Sequence, residues 1–180
     1  MLLVVGNEES VFWLLSVLIE GILPGYHTRD MTGVLAEIYS LGKLIQEKKP
    51  VLWSHLEYNN VDLSLVVTKW FVCVFVEVLP IETVLRIWDC LFYEGNKIIM
   101  RVAVALIFAN EENLFMSQDF GSIIECFKTI VQNKAALHCH SFMENVFKLS
   151  GPLPRASINQ LRKEGEEKAL KENEADTKRV

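Results

Sequence analysis

Residues Trp70–Gly95 read WFVCVFVEVLPIETVLRIWDCLFYEG, and the fold turns on how this stretch is parsed. It is nearly all apolar, yet Glu77, Glu82, Arg86, Asp89 and Glu94 interrupt it at intervals that suit helices. Pro80 divides it, because a proline inside a helix removes a backbone donor and clashes with the preceding turn. Ahead of the proline, Leu65 to Val78 carries apolar side chains on every face, the pattern of a helix enclosed on most sides. Behind it, Ile81, Val84, Leu85, Trp88, Leu91 and Phe92 follow the i, i+3, i+4, i+7 spacing of an amphipathic helix. Gly95 stands where a left-handed C-cap belongs. The reading is a helical hairpin with a bulky apolar seam at the core of an all-α domain.

The flanks continue the helical pattern. Met1 to Val5 is apolar on all sides. Asn7 is placed to cap a helix running to Glu20, with Glu8 and Glu9 favourable to its dipole and Gly21 ending it. Pro24-Gly25 marks a turn within Ile22 to Thr28. Met31, Val34, Leu35, Ile38, Leu41 and Ile45 then share one face of a helix that ends at Lys48-Lys49. Pro50 opens a short helix holding Leu52, Trp53 and Leu56, and Asp62 caps the entry to the hairpin. Downstream, helices are expected over Ile98 to Phe108, Glu111 to Met116 and Phe120 to Val131. A last core helix over Ala135 to Lys148 buries Leu137, Phe142, Val146 and Phe147. No useful β-alternation and no fixed-period repeat is present.

Gly151-Pro152-Leu153-Pro154 closes this unit, which gives a division into residues 1–150 and a tail, 151–180. Ser157 and Gln160 have capping-box spacing, but the helix they would start has little beyond Ile158 and Leu161 to bury. From Arg162 onward charged residues dominate, which predicts a solvated, frayed helix or a disordered tail.

The chain has 180 residues, enough for one domain with a sizeable core. Its apolar fraction of 51% and mean hydropathy of +0.23 raise the question of a membrane span. The longest apolar run, Val61 to Leu79, contains Asp62, Lys69 and Glu77, so no span of about 20 uncharged residues exists. Met1 to Val5 is too short for the apolar region of a signal peptide. The excess hydrophobicity reads as a large core together with a face meant for a further half. A net charge of −5 argues against a nucleic-acid partner. Cys73, Cys90, Cys126 and Cys139 show no C-x-x-C spacing and read as buried, reduced thiols of a cytosolic protein.

The W-F segment, then L-P-x-E-T-V-L-R-I-W-D, then E-G resembles the C-terminal half of the TBC domain. TBC proteins are all-helical GTPase-activating proteins for Rab GTPases. The resemblance extends upstream through Asn7-Glu8-Glu9 and Phe12-Trp13-Leu14-Leu15, and downstream through Lys97-Ile98-Ile99 and Arg101-Val102-Ala103. It covers roughly Leu2 to Phe147. It implies a helical array, a Rab-family small GTPase as partner and a part in vesicle trafficking. The implied location is cytoplasmic, with peripheral recruitment to endomembranes through the Rab. The implied role is that of an enzyme regulator with no cofactor and no metal. In the resembling family the catalytic arginine lies in I-x-x-D-x-x-R and the catalytic glutamine in Y-x-Q-G-M-N. Neither motif occurs in these 180 residues, and residue 1 falls just after the place where the glutamine motif would end. No catalytic residue is therefore assigned. The expectation is an activator whose chemistry lies outside this chain, leaving the chain alone impaired or inactive. The alternative is a non-catalytic fragment that binds a Rab or another partner.

The remaining constellations each have a structural reading. Arg86 and Asp89, three apart on one helix, suit an ion pair better than acid–base work. Arg29, Arg86, Arg101 and Arg155 are the candidates for a substitute finger, which needs an exposed guanidinium on a preorganised element. Arg29, in a turn, is the least constrained of them. His138, Cys139 and His140 are metal-ligand types, but successive helical side chains point about 100° apart and cannot converge on one tetrahedral ion. Asp119-Phe120-Gly121 matches the kinase magnesium motif without the Gly-rich loop or H-R-D that would give it meaning. Phe12, Trp13, Trp53, Trp70, Phe71 and Trp88 read as core, and an exposed member would mark an interface.

Overall fold

Every regular element in the described residues, 1–130 and 138–177 of a computed structural model, is a helix. In chain order these are α1 (Leu2–Val5), α2 (Glu8–Ser16) with a π-helical continuation (Val17–Ile22), α3 (Thr32–Lys48), α4 (Pro50–Tyr58), α5 (Ser64–Val72) and α6 (Ile81–Glu94). They are followed by α7 (Lys97–Ala109), α8 (Glu111–Met116), α9 (Phe120–Thr129), α10 (Cys139–Ser150) and α11 (Arg155–Thr177).

The most enclosed element is α7. Every residue from Ile98 to Ile107 except Arg101 is buried, as a helix apolar on all faces requires. The helices α3, α5, α6 and α10 pack around it. The centre of the domain therefore lies one helix beyond the quoted stretch.

That stretch is also not a packed hairpin. α5 stops at Val72, and residues 73–79 form turns in which Val74, Phe75 and Glu77 have φ of 47°, 63° and 61°. Two local features oppose a continued helix. Val72, Val74, Val76 and Val78 are β-branched, and the residue before Pro80 is pushed out of the helical region. Burial of Val74 and Phe75 holds the left-handed backbone in place. α5 then packs on α3, α7 and α9, whereas α6 packs on α7, α10 and the π turn. Trp88 Nε1 donates to the Val74 carbonyl at 3.1 Å and ties α6 to the turn.

The buried stripe of α6 is Thr83, Val84, Ile87 and Leu91, rotated from the expected one. Ile81 is exposed, and Leu85, Trp88 and Phe92 are half-buried. Gly95 has φ 83° and ψ −171°, so it leaves the helix in an extended glycine conformation rather than as a left-handed cap. Asn7 Oδ1 accepts from Ser10 N at 2.8 Å, and Asp62 Oδ1 accepts from Ser64 N at 2.8 Å, so both act at the helix starts they were expected to cap. Gly21 does not end its helix; it lies within the π turn, closed by Leu23 N donating to Leu18 O at 2.8 Å.

The C-terminal segment departs most from expectation. α11 lies along α3 in the most extensive helix–helix contact of the described residues, with Ile158 and Ala169 buried. Gly165 permits the approach, since a Cβ there would stand 2.8 Å from the Ala36 Cα. Arg162 Nη2 meets Glu37 Oε1 at 2.5 Å, with the two side chains 12% and 1% exposed. Ser157 and Gln160 sit inside α11, which begins at Arg155, and form no capping box. α10 buries Phe142 and Val146, but Phe147 is 41% exposed beneath the Arg101 guanidinium, 5.3 Å from its ring. Val131, Ala135 and Leu137 lie outside the described residues. The four cysteines are free and only partly buried; desolvation pushes the Cys90 and Cys126 thiols up. No helix among the described residues is long and apolar enough to cross a membrane.

Candidate functional site

Three of the four candidate arginines are held by the fold. Arg86 Nη1 lies 3.3 Å from Asp89 Oδ2 in an exposed intrahelical pair. Arg101 Nη1 donates to Ser150 Oγ at 2.6 Å and to the Gly151 carbonyl at 2.9 Å, fastening the end of α10 to α7. Arg155 Nη2 donates to the Glu94 carbonyl at 2.8 Å, joining the start of α11 to the end of α6. Arg29 is exposed in the turn before α3, with no hydrogen bond or ion pair to fix it among the described residues. A finger must be preorganised, and none of these four combines an exposed, unengaged guanidinium with a rigid support.

The other motifs resolve into structure. Asp119 caps α9: its Oδ1 accepts from Ser122 N at 3.0 Å, and Ser122 Oγ accepts from Asp119 N at 3.3 Å. The hydrogen bond from the Ser122 backbone holds the Asp119 carboxyl below its usual range. His138 precedes α10, Cys139 Sγ approaches the Glu82 carbonyl at 3.8 Å, and exposed His140 stands 3.9 Å from Glu144. Among the described residues no group of three or more His, Cys, Asp or Glu side chains is arranged to hold a metal.

Of the six aromatics read as core, Trp70 and Phe71 are buried, and Trp53 and Trp88 half-buried. Phe12 and Trp13 are 63% and 60% exposed, with their rings edge to face at 5.2 Å. They belong to a continuous apolar segment: Leu2, Leu3, Val4, Val5, Leu15, Val17 and Ile19 are exposed as well. Val11 is buried and Leu14 half-buried on α2, and Leu18 is buried on the π turn, which packs on α6; apolar side chains remain exposed on both flanks of this stripe. Between this segment and α6 runs a groove of about 500 Å³ lined by Met1, Val4, Val5 and Leu14 on one wall. Leu85, Trp88, Phe92 and Tyr93 line the other wall, with Asp89 as its one charged residue. Such a surface offers apolar area and shape, the means of recognising another protein surface.

The Rab-GTPase-TBC domain family profile matches residues 1–115. The chain belongs to this family. It is 42% identical over 162 residues to growth hormone-regulated TBC protein 1-A of Danio rerio, covering 90% of this chain and 46% of that protein. It is 41% identical over 162 residues to growth hormone-regulated TBC protein 1 of Homo sapiens, covering 90% and 48%. Its fold is similar to the crystal structure of the Chlamydomonas flagellar RabGAP TBC domain, with a TM-score of 0.68 and 37% identity over 81% of this chain and 48% of that one. The chain spans about half the length of these growth hormone-regulated TBC relatives. The all-α TBC fold expected from the L-P-x-E-T-V-L-R-I-W-D stretch is thus the fold it has.

The exposed N-terminal face was missed at Phe12 and Trp13, although a signal was present. VFWLLSVLI, residues 11–19, is apolar around nearly the whole helix circumference, which demands cover on more than one side.

Proposed function

We propose that this chain works within a GTPase-activating protein for Rab-family small GTPases, and that taken alone it is catalytically impaired. The observation carrying the proposal is the family match over residues 1–115, taken with the absence of both finger motifs from the 180 residues. In trans activation of a GTPase, an arginine neutralises the charge developing on the transferred phosphoryl group while a glutamine orients the attacking water. An arginine finger is worth on the order of 10³–10⁵ in rate. The engagement of Arg86, Arg101 and Arg155 by their own fold supports the view that no local arginine takes over this role. On this reading residues 1–150 are the C-terminal portion of the TBC domain, α11 is an appended helix, and the Rab draws the protein to endomembranes from the cytoplasm. The second reading, a non-catalytic fragment that binds a Rab or another partner, is favoured by the exposed apolar face at Phe12 and Trp13.

The test is single-turnover phosphate release from a panel of GTP-loaded Rabs, with Rab binding measured in parallel. This chain is compared with a longer protein that restores an upstream half. Acceleration by the longer protein only is the expected result. Strong acceleration by the chain alone would overturn the proposal and make Arg29 the first residue to substitute. Rab binding without acceleration by either protein would favour the second reading.

A further inference from the structure

His55 is half-buried on α4, and its ring reaches across to the end of α8. Its Nε2 stands 3.0 Å from the Leu114 carbonyl oxygen and 2.9 Å from the Ser117 carbonyl oxygen. Both partners only accept, so a ring nitrogen held at these distances carries the proton and donates. The opposite tautomer would turn the Nε2 lone pair against two carbonyl oxygens. We propose that His55 is a tautomer-locked clasp, in which Nε2–H is shared between the Leu114 and Ser117 carbonyls and thereby positions α8 on α4 and the entry to α9. In the neutral ring the lone pair is then on Nδ1. α8 ends at Met116, so the Leu114 carbonyl is one of the last four, which a helix cannot satisfy from within itself.

α8 needs such a clasp. It has six residues, of which Leu114 alone is buried, and a helix so short is not held by its own backbone bonds. At its start Lys49 Nζ meets Glu111 Oε2 at 2.7 Å, and at its end stands His55. Lys49 and His55 are six positions apart, as are Glu111 and Ser117. Either interval rises about 9 Å along a helix, so the two anchors match α4 and α8 lying side by side in the same direction. Helices so placed bring like ends of their dipoles together, which opposes their contact. The charge pair at one end and the shared donor at the other work against that repulsion. The ring also packs on Phe115, with centroids 5.5 Å apart. Asn59 Nδ2 donates to the His55 carbonyl at 2.9 Å and closes the end of α4 beside it. From α8 the chain passes into α9, which buries Ile123 and Phe127 and packs on α5. Where α8 ends therefore governs how α9 meets the body. The family profile matches residues 1–115, so the clasp joins that part to the chain just beyond it.

The experiment is nuclear magnetic resonance of the full, isotope-labelled chain and of three variants. His55→Gln carries an amide nitrogen about where Nε2 stands, His55→Asn carries one nearer the place of Nδ1, and His55→Leu has no donor. Imidazole nitrogen spectra of the parent in alkaline solution should show Nε2 protonated and Nδ1 bare. Amide exchange over residues 111–117 should quicken about tenfold or more in His55→Leu and His55→Asn, and His55→Gln should recover most of the protection. A packing role alone would leave the Gln and Asn variants alike. A parent ring protonated at Nδ1 would overturn the proposal. So would exchange in α8 that His55→Leu leaves unchanged, or an Asn variant protected as well as the Gln variant. If His55→Leu does not fold, the parent's tautomer and the contrast between Gln and Asn decide the matter.

Discussion

Replacing Arg162 by Met tests whether the C-terminal helix is held by its buried ion pair. The side chains of Glu37 and Arg162 are 1% and 12% exposed, and Nη2 to Oε1 is 2.5 Å. Met keeps most of the apolar stem and removes the charge. Glu37 would then be a buried carboxylate facing the buried hydroxyl of Tyr26, and deleting one member of such a pair costs about 3–5 kcal/mol. The pH dependence follows from Glu37. Burial raises its carboxyl above the usual range, while the Arg162 charge and hydrogen bond pull it back. A raised carboxyl holds more protons folded than unfolded, so stability falls as pH rises from the unfolded value towards the folded one. Without Arg162 the folded value climbs further and the fall extends to higher pH. The variant should thus differ most from the parent near neutral pH. The gap should be smallest well below the ordinary glutamate value of ~4.3, where the carboxyl is neutral in both states. Adding Glu37→Gln to the variant should recover much of the loss at neutral pH. Urea unfolding followed by circular dichroism at both pH values gives the global term, and amide exchange in α11 shows whether that helix detaches first. A neutral-pH cost below about 1 kcal/mol, or an equal cost at both pH values, would refute the account.

Gly33→Ala should destabilise the chain by at least ~2 kcal/mol in thermal or urea unfolding, because a Cβ there would lie 2.3 Å from the Pro24 carbonyl oxygen, a backbone atom. Arg101→Met should cost about 2–3 kcal/mol by loss of the bonds to Ser150 Oγ and the Gly151 carbonyl, with early amide exchange at the end of α10. Gly95→Ala forces a Cβ into φ 83°, ψ −171° and should cost about 1–3 kcal/mol, read as a lower urea midpoint. Asp119→Ala should lower the melting temperature near neutral pH by loss of the α9 cap. Because the Asp119 carboxyl is held below its usual range, the cap is fully present above the unfolded carboxylate value. The difference from the parent should close as pH falls through the lower folded value.

How much of the fold can be read depends on whether the decisive contacts are local. The helix starts at Asn7 and Asp62 involve groups two or three residues apart, and both were legible. The ambiguity of Leu65 to Val78 is different in kind: apolar side chains on every face show that a segment is buried, not that it is helical. Trp70, Phe71, Val74 and Phe75 are all buried, yet the backbone leaves the helix between them. The alternating valines and the proline that follows them were the local signs of that break. α7 was equally apolar all round and did prove helical although Val102 and Val104 alternate within it; what it lacks is a proline close behind, as Pro80 stands behind Val78.

The charged C-terminal segment shows the limit more sharply. Its composition argues for solvation, and what overrides composition is the pairing of Arg162 with Glu37 and the absence of a side chain at Gly165 where Ala36 approaches. Neither could be anticipated without knowing which helix lies opposite, because a buried charge looks like a surface charge until its partner is placed. The N-terminal face poses the reverse problem. Phe12 and Trp13 have the character of core residues and stand in solvent, so their chemistry specifies a covering surface that the single chain does not provide. An apolar helix contacted along one stripe and exposed along both flanks is an unfinished packing arrangement.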